Sequence, residues 1–174
     1  MKNIKSPEEL LKYMDIINYG FVDENNNVYQ DEEFEQNVFS KWKLSSPERL
    51  LKVKYGHCFD QVELERELVN KAGGESRTYF IFYPDEEYDM SHAILVYKDG
   101  RNYYWLENSW TRYKGLHIYD SKEELLKDVL NKFVSTIPKG DYNKVKLYMY
   151  DKPRYGINYI KLLSLCINSR SIRV

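Results

Sequence analysis

The stretch YGHCFDQVELERELVNKAGG, residues 55–74, decides how the rest of the chain is interpreted. Apolar residues recur in it at helical spacing from Phe59 to Ala72 and cover most of the circumference of a helix. Gly73-Gly74 then signals a helix end and a turn. A helix that is apolar on most sides lies centrally in a domain. The sequence therefore predicts a central helix from about Cys58 to Ala72, with charges on its remaining side at Glu63, Glu65, Arg66 and Glu67.

Cys58 is one of only two cysteines, and it stands at the predicted start of this helix. Cysteine is usually a small buried hydrophobe, but at a helix N-terminus the aligned peptide dipoles favour its thiolate. Cys58 is therefore a candidate nucleophile. The neighbouring His57 is expected to point away from the thiol and to lie at the solvent-facing rim of a pocket.

Residues 1–54 are predicted to be helical with loops. Ser6, Pro7 and Glu9 form a capping box with proline at the first helical position. Ser46-Pro47 is a second helix start, and this helix is expected to end at Gly56. The polar stretch VDENNNVYQDEE, residues 22–33, is either a surface loop or a short hairpin, and the sequence leaves that choice open.

After Gly74 the apolar period changes from 3.6 to 2, which indicates strands. The predicted strands are SRTYFIFYP (76–84), SHAILVYKD (91–99), RNYYWLENSW (101–110) and, after a helix at DSKEELLKDVLNKFV (120–134), NKVKLYMYD (143–151). Asp99-Gly100 is a hairpin turn signal between the second and third strands. The run INYIKLLSLCI (157–167) is ambiguous between helix and strand, and the basic tail NSRSIRV (168–174) is expected to fray.

The second and third strands bring further polar residues towards one place. His92 begins one strand, and Glu107-Asn108 ends its hairpin partner, where cross-strand side chains lie about 5 Å apart. A thiolate nucleophile, a histidine base and a carboxylate or amide that orients the imidazole are the components of thiol catalysis. Because neighbouring strand residues point to opposite faces, only one of Glu107 and Asn108 can face His92.

The segments YGHCFDQVELERELVNKAGGESRTYFIFY and SHAILVYKDGRNYYWLE resemble the core of the transglutaminase-like superfamily. The resemblance covers about Tyr55 to Trp110 and carries the nucleophile onto Cys58, the base onto His92 and the acid onto Glu107. The family usually has aspartate followed by proline where this chain has Glu107-Asn108. Its members include peptidases, amidases, deamidases, acyl transferases and inactive proteins, so the resemblance implies a fold and leaves the substrate open.

The segment YYWLENSW is similar to a stretch of papain-like peptidases in which the asparagine orients the histidine, which makes Asn108 the alternative in that role. We expect Glu107 to face His92. A papain-type peptidase proper needs a glutamine shortly before its cysteine, whereas the nearest one here is Gln36. For the oxyanion hole, the backbone N–H of Cys58 is one expected donor. The Trp42 indole or the Gln36 amide is the candidate second donor.

Other residues near these motifs are expected to be structural. Asp60 matches the family motif and is predicted to act as a hydrogen-bonding residue in the first helical turn. Trp105 and Trp110 are assigned to the core or the pocket wall. His117 and Cys166 have no motif support.

Composition and net charge limit the classes of partner that the chain is expected to bind. The chain has 174 residues, 43% of them hydrophobic and 30% charged, and a formal net charge of −1. A net charge this close to zero gives no electrostatic reason to expect binding to nucleic acid or to an anionic membrane. No secretory signal, membrane-spanning run or close metal-ligand spacing is present in the sequence. We therefore expect a cytoplasmic protein with reduced cysteines, no metal and no cofactor.

Together these features predict a single α+β domain over residues 1–174. It has a helical part (1–54), a catalytic core (55–110) in which the helix carrying the cysteine packs on an antiparallel β-sheet, and a C-terminal helix, strand and tail (111–174). The expected activity is acyl transfer, with hydrolysis as its simplest form, on a peptide, a protein or a small amide or ester. The alternative is a catalytically inactive module of the same fold that binds a peptide or protein. The oligomeric state is not encoded in any of these patterns.

Overall fold

The computed structural model describes residues 4–84 and 90–174. Helices and strands alternate irregularly along the described chain, with single turns of 3-10 helix at Thr111–Tyr113 and Tyr142–Lys144. In chain order the elements are α1 (Pro7–Met14), β1 (Asn18–Tyr19), β2 (Phe21–Val22), β3 (Val28–Tyr29), α2 (Asp31–Lys41), α3 (Pro47–Val53), β4 (Tyr55–Gly56), α4 (Cys58–Lys71), β5 (Glu75–Tyr83), β6 (Met90–Asp99), β7 (Asn102–Glu107), β8 (Gly115–Tyr119), α5 (Lys122–Ser135), β9 (Lys146–Tyr150), α6 (Tyr159–Ile167) and β10 (Arg170–Ile172).

A six-stranded sheet in the order β10-β9-β5-β6-β7-β8 forms the centre of the molecule. All of its pairings are antiparallel. The strands β5 to β8 follow one another as a meander, and the β6–β7 turn places Gly100 at a φ of 58°, a conformation that glycine adopts without strain. The expected mixed α and β architecture with an antiparallel sheet is confirmed.

Side-chain alternation along the strands gives the sheet two buried faces. Phe80, Ala93 and Leu95 pack in the same cluster as the apolar side of α4. Their sequence neighbours Ile81 and Ile94 pack in the second cluster, under α5. The sheet is therefore covered by α4 on one face and by α5 on the other. Within the described residues, no helix combines the length and apolarity needed to cross a bilayer.

The N-terminal part reaches the start of α4 through a short parallel pairing. Asn18 and Tyr19 of β1 pair with Tyr55 and Gly56 of β4, which directly precede α4. A Cβ atom at Gly56 would lie 2.6 Å from the Leu50 Cδ1 atom, so a larger residue here would displace the buried Leu50 side chain. The pairing holds the segment that carries Tyr19 against the first turn of α4.

The predicted helix starts are confirmed by their caps. The hydroxyls of Ser6, Ser46 and Ser121 each accept a hydrogen bond from the backbone N–H three residues later. The central helix runs from Cys58 to Lys71, one residue short of the predicted end. On β9, Leu147 and Met149 face the α5 side together with Val145, as the alternation predicts.

Four local predictions are corrected or resolved. The helix α3 ends at Val53, because Lys54 takes the left-handed conformation with a φ of 61°, so Gly56 is not its terminator. The C-terminal tail does not fray, since β10 pairs with β9 and forms one edge of the sheet. Residues 22–33 form the β2–β3 hairpin and the start of α2, and residues 159–167 form a helix. The strand β8, which pairs with β7, was not predicted.

Candidate active site

Cys58 occupies the first position of α4 and is 3% exposed. Its Sγ atom lies 3.7 Å from Nδ1 and 3.6 Å from Nε2 of His57. A hydrogen bond directed along one ring N–H would leave the other nitrogen considerably farther away. The near-equal distances therefore indicate that neither ring nitrogen is aimed directly at Sγ.

The surroundings of Cys58 favour the thiolate. Burial acts to raise the pKa of the thiol. His57 and His92 oppose this effect, each through its charge and through a hydrogen-bonding contact with Sγ, and together they lower the pKa to about 6. The helix N-terminus acts in the same direction. At pH 7 a pKa of about 6 corresponds to roughly ten thiolates for each thiol.

His92 and Glu107 meet at the end of the β6–β7 ladder. His92 Nε2 lies 2.7 Å from Glu107 Oε2, and both side chains are buried. The last registered pair of this ladder at this end is Val96 with Trp105. Continuing the same register would put Ser109 opposite His92, so Glu107 contacts the imidazole diagonally across the diverging strand ends.

The Glu107 carboxylate is held in place by hydrogen bonds. Its Oε1 atom accepts from the Ser109 backbone N–H at 2.8 Å, the Ser109 hydroxyl at 2.9 Å and the Trp110 backbone N–H at 2.8 Å. Burial acts to raise the pKa of Glu107, but the charge of His92 and these hydrogen bonds lower it. Glu107 is therefore a carboxylate at neutral pH with one oxygen left to face the imidazole.

The imidazole of His92 lies between two negative groups. Burial acts to lower its pKa, but the Glu107 carboxylate and the hydrogen bond and charge of Cys58 raise it to about 10. Because Nε2 binds Glu107, Nδ1 is the nitrogen left for the thiol. Between about pH 6 and pH 10 the geometry and charges favour a thiolate–imidazolium pair.

Asn108 lies apart from this pair. Its amide donates to the carbonyl oxygens of Met14 at 3.0 Å and Ile17 at 3.1 Å, and to Gln61 Oε1 at 2.7 Å. Among the described residues no hydrogen bond joins Asn108 to His92. Of the two alternatives left open by the sequence, Glu107 contacts the imidazole, and Asn108 fastens the end of α1 to α4.

Both residues expected as the second oxyanion donor are misplaced for that role. The Trp42 indole N–H donates to Asp60 Oδ2 at 2.8 Å, so it is already used. Gln36 is exposed on α2.

Asp60 has the expected structural role, since it also accepts from the backbone N–H groups of Ser45 at 2.7 Å and His57 at 2.9 Å. Burial raises the pKa of Asp60 to about 6 in spite of these donors.

His57 is not at the solvent-facing rim, which corrects the prediction. It is 5% exposed, and its ring packs on Phe34 at 5.2 Å, Tyr159 at 5.6 Å and Trp42 at 5.7 Å between centroids. These partners lie 15 to 102 positions away in the sequence, so local pattern carries no sign of them. The aromatic enclosure directs the imidazole towards Cys58 instead of towards solvent.

Two tyrosines of the site were not predicted. Tyr19 has a side chain that is 41% exposed, yet burial of its hydroxyl and then the charge of Cys58 raise the pKa of that hydroxyl well above its ordinary value. Burial, followed by the charge of Cys58, likewise raises the pKa of Tyr159 to about 12. Only the parallel β1–β4 pairing brings Tyr19 near Cys58, and no sequence motif announces it.

Of the two roles expected for Trp105, core or pocket wall, the structure shows the core. Trp105 is fully buried under α5 and stacks on His117 at 4.4 Å. His117 and Cys166 are structural as expected: Cys166 is fully buried, and both cysteines are free. Trp110, by contrast, contacts the His92 ring at 5.2 Å and is a pocket wall.

Two glutamates of α4 are buried rather than exposed on a polar face. Glu63 pairs with Arg66 at 3.0 Å. Glu65 is 2% exposed, and its Oε2 atom has no hydrogen-bond partner among the described residues. Burial, and then the charge of Glu107, raises the pKa of Glu65 well above its ordinary value. Burial and the nearby Glu107 therefore both favour the neutral form of the Glu65 carboxyl.

A cavity of about 350 Å³ opens beside His92. Ser91, Ser109 and Trp110 are among its lining residues, and Tyr19 borders it on the side of β1. Cys58 itself does not line it. The space next to the site is therefore on the side of the imidazole.

Comparison with known proteins assigns no family to this arrangement. No protein-family model matches the chain, and no curated protein matches it significantly. In the described part of the chain, no group of three or more histidine, cysteine and acidic side chains is arranged to hold a metal ion. The geometry of Cys58, His92 and Glu107 is therefore the basis for any functional conclusion.

Proposed function

We propose that the chain is a thiol-dependent acyl-transfer enzyme, acting as a hydrolase on an amide or ester, with Cys58 as nucleophile, His92 as proton carrier and Glu107 as the residue that orients His92. One observation supports this most strongly. A cysteine at a helix N-terminus, with its pKa lowered to about 6, lies beside a histidine whose other nitrogen is held by a buried carboxylate at 2.7 Å.

The proposed reaction has two halves. The Cys58 thiolate attacks the carbonyl carbon, a tetrahedral intermediate collapses to a thioester, and the bond to the leaving nitrogen or oxygen breaks. The leaving atom takes the electron pair of that bond and the proton of His92. Water then loses a proton to His92 as it attacks the thioester. The C–S bond breaks, its electron pair returns to Cys58 as the thiolate, and the acid product is released.

The negative oxygen of the intermediate needs hydrogen-bond donors. The backbone N–H of Cys58 is one, since the first N–H groups of a helix have no intrahelical partner. The Tyr19 hydroxyl is our second donor, because Tyr19 lines the cavity and the charge of Cys58 raises the pKa of its hydroxyl. It takes the role that the sequence assigned to Trp42 or Gln36.

The fold we propose is transglutaminase-like. The order of motifs along the chain supports it: cysteine at the start of a helix, then histidine on β6, then an acid at the end of β7. The packing of that helix on one face of an antiparallel sheet is consistent with the same proposal. A peptide, a protein or a small amide is the substrate class that follows.

The proposal is tested by acylation with p-nitrophenyl acetate, followed by mass spectrometry of the intact chain and its peptides. We expect one acetyl group on Cys58, release of p-nitrophenolate beyond one equivalent, and an acylation rate that rises through about pH 6. Acetylation that begins only near the ordinary thiol pKa of about 8.5, or that is equal at Cys166, contradicts the proposal.

A second candidate function is supported by a different observation. Cys58 is 3% exposed and lies outside the cavity lining, as expected for an inactive module that binds a peptide or protein beside His92. The same experiment separates the two functions. An inactive module gives no acetyl-cysteine, or a stable one without turnover, whereas an enzyme releases p-nitrophenolate repeatedly.

A further inference from the structure

The cavity beside His92 has a specific position relative to the proposed reaction. Its lining includes the imidazole but not the nucleophile. When the acyl–nitrogen bond breaks, the leaving nitrogen must lie against His92 to receive its proton. The group attached to that nitrogen therefore extends into the cavity, while the acyl part lies on the side of Cys58. The cavity is on the leaving-group side of the scissile bond.

The size and walls of the cavity limit what fits. A volume of about 350 Å³ is at the lower end of the range of ligand pockets, about 300–1,000 Å³, and suits a single residue better than a long peptide. Met90, Trp110 and Phe133 provide apolar and aromatic surface. Such walls favour an apolar or aromatic body on the leaving group.

The charged groups of the lining favour an anion. Among the described lining residues, the charged side chains are His92 and Arg112, both of which are cations when protonated, and none is a carboxylate. The guanidinium of Arg112 lies over the Tyr113 ring at 5.5 Å, and no described carboxylate pairs with it. A guanidinium beside a cavity that also has apolar and aromatic walls is suited to bind the carboxylate of an apolar or aromatic ligand.

We propose that this cavity is the leaving-group subsite and that it binds an apolar or aromatic amino acid with a free carboxylate, held by Arg112. The inference rests on the proposed function and narrows it to the release of a C-terminal residue from a peptide or acyl-amino acid. The bond that breaks joins the acyl carbon to the amino nitrogen of that residue. The nitrogen keeps the electron pair and gains the His92 proton.

Binding tests this inference without requiring catalysis. 3-Phenylpropionate and its uncharged analogue 3-phenylpropionamide are titrated into the whole chain, and binding is measured by calorimetry and by the fluorescence change of the tryptophans, which include Trp110. We expect the carboxylate to bind about three- to fivefold more tightly than the amide, as for an exposed ion pair. Equal binding of the two compounds, or no binding of either, overturns the inference.

Paired variants locate the binding. Arg112→Gln should remove the difference between acid and amide, whereas Arg101→Gln removes the same charge from the β6–β7 turn and should leave the difference intact. Thr136→Trp should fill the cavity and weaken both compounds, whereas Thr136→Val should not. If Arg112→Gln leaves the preference unchanged, or Thr136→Trp leaves both affinities unchanged, the compounds bind elsewhere and the inference fails.

A last measurement separates this inference from the proposed function. Acetyl-Cys58, formed from p-nitrophenyl acetate, is offered phenylalanine or phenethylamine as acceptor, and N-acetyl products are measured by mass spectrometry. Preferred transfer to phenylalanine, lost in Arg112→Gln, supports the leaving-group assignment, and equal transfer to both amines contradicts it. If ligands bind as expected but acetyl-Cys58 never forms, the proposed function fails and the cavity is an amino-acid binding site only.

Discussion

The two cysteines of the chain are both buried and free, yet their surroundings have opposite effects. Burial and the negative charge of Cys58 raise the pKa of Cys166 far above its ordinary value. The pKa of Cys58 falls to about 6, although burial alone would raise it. Cys166 lies within the hydrophobic α6, whereas Cys58 begins α4 beside two histidines.

The difference shows that burial does not decide whether a cysteine is reactive. A buried thiol without a nearby cation stays protonated, because the thiolate loses its hydration. His57 and His92 reverse that balance at Cys58 by supplying positive charge at short range. Each prediction below alters one part of that difference, beginning with the largest expected effect.

Removing either cysteine tests the contrast directly. Cys58→Ala should abolish alkylation by iodoacetamide at pH 7, because the thiol that remains is protonated and fully buried. Cys166→Ala should retain the wild-type alkylation rate. Peptide mapping by mass spectrometry after a short exposure measures both. Substantial alkylation of Cys166 in the folded Cys58→Ala variant would contradict the contrast.

Replacing each histidine in turn separates charge from proton transfer. His57→Gln and His92→Gln should each raise the pKa of Cys58 towards its ordinary value of about 8.5, which is measured from the pH dependence of alkylation. His92→Gln should also reduce turnover of p-nitrophenyl acetate by about 10²–10⁴-fold, the usual contribution of a positioned acid–base group. His57→Gln should reduce turnover only as far as the thiolate population falls. An equal loss of turnover at high pH in both variants would assign proton transfer to His57 as well.

The carboxylate of Glu107, which contacts His92, sets the pH above which turnover declines. Glu107→Gln removes the charge that raises the pKa of His92, so that pKa should fall from about 10 towards its ordinary value of about 6.5. In the wild type the imidazolium is present below about pH 10. Turnover of an amide, whose leaving nitrogen takes the His92 proton, should therefore decline as the pH rises through that value. In Glu107→Gln the decline should begin several pH units lower. If turnover declines at the same pH in Glu107→Gln and in the wild type, Glu107 does not raise the pKa of His92.

Asn108→Ala should have the smallest effect on chemistry. It removes three hydrogen bonds that join the end of α1 to α4, so we expect a loss of about 1–3 kcal/mol in the free energy of unfolding. The pKa of Cys58 should stay at about 6, since no hydrogen bond among the described residues joins Asn108 to either histidine. Urea unfolding and the alkylation profile measure the two effects. A raised Cys58 pKa in a folded Asn108→Ala variant would restore Asn108 as an orienting residue.

The sequence predicted the parts of the site that depend on local pattern. Cys58 at a helix start, His92 near the beginning of a strand and Glu107 at the end of its hairpin partner follow from caps, periodicity and the Asp99-Gly100 turn. The choice between Glu107 and Asn108 required the structure, because side chains at a diverging strand end no longer follow the ladder register.

The failed predictions involve contacts between distant segments. The Trp42 indole was predicted as a donor of the oxyanion hole, but its N–H donates to the buried Asp60 carboxylate instead. His57 was assigned to the rim, but aromatic rings from α2 and α6 enclose it. Tyr19 had no assignment, since its position depends on a two-residue parallel pairing across 37 positions. No local pattern encodes such contacts.

The separation of the site residues along the chain also has a consequence for biosynthesis. His57 and His92 lower the pKa of Cys58, and Glu107 in turn favours the charged form of His92. A chain emerging from the ribosome contains Cys58 long before Glu107, and non-local contacts form only after the intervening loops close. We therefore expect the thiol of a nascent chain to titrate as an ordinary cysteine. Its reactivity would begin only when β6 and β7 have paired and the imidazole has gained its carboxylate.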